Sequence, residues 1–163
     1  MNLKKLVFLM GMAIFSLSFA NAQTAKYVGA AKCKMCHNKA EKGGQFSEWQ
    51  AGPHANAMKV LKGDEAKDPK CLKCHSTAAS VDPSLHAGIT PAEGVSCESC
   101  HGPGSLYKTA TIMKDEKASL AKGMFHPEEK VCKKCHNPES PTFKGFNYKE
   151  AVAKISHDDP TTK

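Results

Sequence analysis

Apolar positions along this chain form one continuous run near the start and three helical patterns further on; no stretch shows the alternation of a strand. The run covers residues 6–19, follows Lys4 and Lys5, and is succeeded by Ala20-Asn21-Ala22. A basic start, a short apolar stretch and a small-residue site make residues 1–22 a secretory signal, with Gln23 beginning the mature chain. Fourteen apolar residues are too few for a membrane span, and no later stretch is longer. The mature product is therefore expected to be periplasmic and not membrane-spanning.

The first helical pattern covers residues 45–62, kinked at Gly52-Pro53, with His54 opening its second half and Gly63 ending it. The second runs over residues 105–122, after the tight turn Gly102-Pro103-Gly104 and before Gly123. The third is the clearest: Asn147 caps it, Glu150 reaches back, and Tyr148, Ala151, Val152 and Ile155 share one face. His157 falls at its end, where Asp158, Asp159 and Pro160 stop it. The chain reads as mainly α with much irregular loop, in a single domain over residues 23–163.

These helices have little to pack against. The 141 residues after the signal are poor in Leu, Ile, Val and Phe, and rich in Lys, Gly, Pro and Ala. A chain of this kind needs a covalent or prosthetic substitute for a side-chain core. Charge adds less. All 23 basic residues are Lys, and the 21 that remain after cleavage face 16 acids, a net +5. Nucleic acid is a poor partner, because phosphate and base recognition draws on Arg forks and aromatic stacking.

The eight cysteines supply the substitute. Each belongs to a Cys-x-x-Cys-His pentad: Cys33, Cys36 and His37; Cys71, Cys74 and His75; Cys97, Cys100 and His101; Cys132, Cys135 and His136. This is the attachment signature of c-type haem. Two thiols reach the porphyrin vinyl groups as thioethers, and the adjacent imidazole reaches the iron. Zinc knuckles do not require the His, and four chance occurrences have odds of about one in 10⁵ at this composition. A disulfide scaffold leaves the His unexplained, and a thioredoxin-like site needs a βαβ pattern that is absent. Four covalently bound haems, large and apolar, thus become the core of a small multihaem cytochrome c.

Four further histidines, His54, His86, His126 and His157, equal the number of distal iron positions, which points to bis-His ligation and low potentials. Each can equally be a surface residue. Met58, Met113 and Met124 are alternative ligands, although Met at helical positions more often fills gaps in packing.

The residues between the pentads narrow the reading. Trp49 to Met58 reads W-x-x-x-x-H-A-x-A-M, Gly94 to Gly104 reads G-V-S-C-E-S-C-H-G-P-G, and Phe125 to Glu129 reads F-H-P-E-E. In this order they resemble the tetrahaem cytochrome c-554 family, over nearly the whole mature chain. The resemblance implies a mostly helical periplasmic electron carrier with closely packed, partly stacked haems, serving hydroxylamine oxidation in ammonia oxidisers; the pathway itself does not transfer with the fold. It implies that His54 and His157 are distal ligands, each to a haem other than the nearest in sequence, and that the haem at Cys71, Cys74 and His75 is five-coordinate. The chain departs from the pattern by lacking a distal His soon after the C-H-G-P-G turn. It carries instead His86, with no family counterpart, which leaves the first haem to recruit His86 or His126 or to lack a sixth ligand.

The function expected is electron transfer between redox partner proteins, periplasmic or membrane-associated. The alternative is a small haem oxidoreductase acting on a nitrogen oxide at a five-coordinate iron. Docking would use local lysines, either Lys32, Lys34 and Lys39 or Lys130, Lys133 and Lys134, unless these only solvate the motif helices.

Overall fold

A computed structural model describes residues 23–157 and 159–160. The signal sequence proposed for residues 1–22 lies outside the described residues. Among the described residues, nine short α-helices carry the fold: α1 Ala30–His37, α2 Gln45–Ala51, α3 Pro69–His75, α4 Thr77–Ser80, α5 Cys97–His101, α6 Ala110–Met113, α7 Glu116–Ala121, α8 Glu129–Cys132 and α9 Tyr148–Ile155. Single 3-10 turns and loops join them. The described residues contain no strand, only an isolated bridge between Tyr27 and His86. No described helix is long and apolar enough to cross a membrane.

The helices are shorter than the apolar patterns predict, for identifiable reasons. The expected helix at residues 45–62 ends at Ala51. Gly52 is extended, as a residue before proline tends to be, and Pro53 has no N–H to continue the ladder. Turns follow, then a 3-10 turn at Ala57–Val60, so His54 sits in a turn and not on a helix. The expected helix at residues 105–122 divides into α6 and α7, because the Asp115 carboxylate accepts the Ala118 N–H at 2.9 Å and starts a new helix. Helix α9 has the expected extent. The Asn147 side chain accepts the Glu150 N–H and donates to the Glu150 carboxylate at 2.8 Å.

Few apolar side chains are buried: among the described residues they are Val28, Ala30, Phe46, Ala78, Ile89 and Tyr107. The most deeply buried side chains are instead polar: Glu98, Ser76, Ser96 and Ser119. Glu98 is the most consequential, since it is 2 % exposed and lies between the two cysteines of the third pentad. One of its oxygens accepts the Val28 and Gly104 N–H groups at 2.9 and 2.6 Å, and the other accepts the Gly29 N–H at 2.8 Å. A buried charge is tolerable when hydrogen bonds of this kind surround it. The carboxylate thereby fastens α5 to the segment that enters α1.

Glu98→Ala leaves those three buried N–H groups unpaired, at about 1–3 kcal/mol each. The expected loss in stability is therefore about 3 kcal/mol or more, read from the denaturant midpoint of the purified protein. Glu98→Gln should also destabilise, since its amide turns a donor toward donors. An unchanged midpoint for both variants would refute the clamp.

Candidate functional site

The four pentads lie on or at the ends of α1, α3, α5 and α8, and the structure gathers them. The Cys33 and Cys97 thiols lie close enough to perturb one another's titration, joining the first and third pentads beside the Glu98 clamp. Cys74 and Cys135 join the second and fourth in the same way. There, Lys73 inside the second pentad forms an ion pair with Glu139 just beyond the fourth. Cys132 lies near enough to Cys100 to raise its pKa, after the larger effect of burial, and so links the third pentad to the fourth. Burial, then Cys74, pushes the Cys135 thiol up to about 12. None of the eight cysteines is paired in a disulfide.

Three of the sequence motifs interlock. The Trp49 indole N–H donates to the Val95 carbonyl at 2.9 Å, and the Val95 N–H donates to the His54 carbonyl at 2.9 Å. One residue of the Gly94-Val95-Ser96 stretch thus holds both ends of the W-x-x-x-x-H stretch. Gly94 makes this approach feasible: its φ is +65°, and a Cβ there would stand 2.6 Å from the His54 carbonyl oxygen. The Phe125 N–H donates to the His101 carbonyl at 3.2 Å, and the Tyr148 hydroxyl donates to the Pro127 carbonyl at 3.1 Å. The F-H-P-E-E segment thereby connects the end of the third pentad to α9, which ends beside His157.

The result is two facing imidazole pairs. His54 and His136 have ring centres 6.1 Å apart, and His101 and His157 likewise 6.1 Å. Two imidazoles on opposite sides of one metal have centres about 6.2 Å apart, given a metal–nitrogen bond of about 2.0–2.1 Å and roughly 1.1 Å from nitrogen to ring centre. Both pairs have the spacing a six-coordinate iron needs. Each combines a pentad histidine with a histidine distant in sequence. Burial lowers the pKa of His54 and His101, reinforced by the facing ring in each case, and this favours the neutral, metal-binding imidazole. His136 also stacks on Phe146, at 5.0 Å and 18°.

His75 is also fixed in orientation. Its Nδ1 hydrogen-bonds the Ala57 carbonyl at 2.7 Å, which directs the ring and leaves Nε2 for a metal. His86 Nε2 is buried with no hydrogen-bond partner. His126 is placed differently: it is exposed, and its Nε2 meets the Glu116 carboxylate at 2.8 Å. Met58, Met113 and Met124 are half-buried. Of the lysines singled out, Lys130 and Lys133 are ion-paired with Glu128 and Glu129, and Lys34 lies over the Phe46 ring.

Paired thiols each followed by an imidazole, carried on short helices around a scant side-chain core, are the features of a c-type cytochrome. Comparison with known proteins agrees. The family model described as "Cytochrome c554 and c-prime" matches residues 32–102. Cytochrome c-554 of Nitrosomonas europaea is 30% identical over 177 aligned positions, covering 84% of this chain and 70% of that protein. The chain belongs to the cytochrome c-554 family. No solved structure is significantly similar to it.

Sequence reasoning overlooked Glu98 and the Trp49–Val95–His54 lock. A signal for Glu98 was present: it is the only acid among the eight residues enclosed by the four cysteine pairs.

Proposed function

We propose that this protein is an exported tetrahaem electron carrier, with one haem attached at each pentad. The observation that carries this reading is the adjacency of the pentads, first to third, third to fourth and fourth to second. Attached groups in that order form one continuous path. The haems supply the one-electron chemistry. The protein's own residues hold, orient and insulate them. On this reading His37, His75, His101 and His136 are proximal ligands, His54 serves the haem of the fourth pentad, and His157 that of the third.

The signal at residues 1–22 delivers the chain to the periplasm, where thioether attachment takes place. Lys32, Lys34 and Lys39 near the first pentad form the favoured docking face for a redox partner, because two of the three lysines near the fourth pentad are already neutralised by glutamates.

One observation favours a second role. With His126 engaged by Glu116 at the surface, three distal histidines remain for four irons, so one iron is open to an exogenous ligand such as a nitrogen oxide. That role takes place at the second pentad and is compatible with electron transfer.

The deciding measurement is the intact mass of the exported protein after acidified organic extraction, which removes haem held only by axial bonds. The expected mass is that of the chain from Gln23 plus four haems. A mass with fewer than four, or with zinc in place of haem, overturns the proposal.

A further inference from the structure

The loop between the second and third pentads is folded back on the entry to α1 and fastened there. The Tyr27 N–H donates to the Leu85 carbonyl at 2.8 Å, and the Ala87 N–H donates to the Tyr27 carbonyl at 2.7 Å. Further along the loop, the Glu93 carboxylate accepts the Ala30 N–H at 2.7 Å, at the first residue of α1. His86 is thus gripped from both sides by a backbone pairing with Tyr27, six residues before Cys33.

One nitrogen of the ring so placed has no hydrogen-bond partner in the protein. Its Nε2 is buried without a partner, and such an orphaned nitrogen is costly in a finished fold. The other distal candidates are accounted for: His54 faces His136, His157 faces His101, and His126 is held at the surface by Glu116.

The segment at residues 26–28 is also flanked by the stretch after the third pentad. The Ser105 N–H donates to the Lys26 carbonyl at 3.1 Å, and the Lys26 N–H donates to the Ser105 hydroxyl at 2.7 Å. That stretch offers no imidazole. Tyr107, the buried side chain there, turns its hydroxyl onto the His101 and Gly102 carbonyls at 3.1 and 2.6 Å. The two loops lie along the same lead into the first pentad, and only the one carrying His86 brings a free ring nitrogen.

We propose that His86 is the distal ligand of the haem attached at Cys33 and Cys36, opposite His37. The ligand comes from the loop between the second and third pentads, so the first haem is closed by a segment that the chain's other cysteine motifs position. This deepens the tetrahaem reading and rests on it.

The test uses the full exported protein with its haems attached. His86→Ala should convert one low-spin ferric haem to high-spin, counted by electron paramagnetic resonance, and create one additional carbon-monoxide-binding iron in the reduced protein. Added imidazole should restore the low-spin signal, which a merely structural role for His86 would not allow. Broadened amide resonances in residues 30–37 should locate the new high-spin iron at the first pentad. Should the alanine variant fail to accumulate, His86→Met keeps an iron ligand and should remain low-spin with a raised potential. His126→Ala should leave every spin unchanged.

An unchanged low-spin count in His86→Ala, a high-spin count that imidazole does not reverse, or broadening centred on residues 69–75 overturns the assignment. A high-spin iron or an unraised potential in His86→Met does the same. Haem content by mass separates this outcome from failure of the underlying reading: fewer than four haems in the parent protein refutes the tetrahaem chain itself.

Discussion

Without its haems the chain is expected not to fold. Produced where cytochrome maturation is absent, or with each pentad cysteine changed to serine, it should lose most of its far-ultraviolet helical signal and show no cooperative thermal transition. Among the described residues the six buried apolar side chains include two alanines, and the deepest positions belong to Glu98 and three serines. Isolated helices shorter than about 12–15 residues are marginal in water even with favourable sequences. The longest described here have eight residues. Neither local propensity nor side-chain burial can hold them in place, so stability has to come from large apolar groups bonded to the chain, as it does when metal binding and folding are one process. A haem-free chain that melted cooperatively would show that the polypeptide carries its own core.

The second large effect is at the paired imidazoles. His157→Ala and His54→Ala should each turn one low-spin haem high-spin and raise its potential, since losing an imidazole donor favours the ferrous state. Axial ligands span roughly 0.8 V in haem proteins, and a shift on the order of 0.1 V is expected for a single lost imidazole. Spectropotentiometric titration would resolve one displaced component among the haems. The two variants should affect different haems, because His157 faces His101 and His54 faces His136. The double variant should therefore displace two components independently, as for sites without a shared partner. If neither substitution alters the spin state, the 6.1 Å spacings are ordinary ring packing.

How much of this could be read from the chain depends on the range of the interaction responsible. The pentads were legible because haem attachment is local chemistry: both thiols and the imidazole lie within five consecutive residues. Helix α9 was legible because Asn147 and Glu150 cap it within its own first turn. The short helices were not. Pro53 and Asp115 were visible, yet the apolar patterns continued past them, and with so little core available the local breaks prevailed over periodicity. His126 shows a different limit. The sequence offers it as a ligand, and only the fold brings Glu116, ten residues away in the chain, to its ring.

The sequence by itself determined the class of protein, the four Cys-x-x-Cys-His pentads that hold every cysteine, and the need for something other than side chains at the centre. These follow from covalent geometry and composition, and neither requires knowing what lies across the fold. The tertiary structure decided which rings face each other, which pentads adjoin, that Glu98 clamps the third to the first, and that the loop of His86 lies on the entry to α1. Those contacts join residues from 32 to 82 positions apart, and no periodicity or spacing along a chain encodes which distant turn a loop will meet.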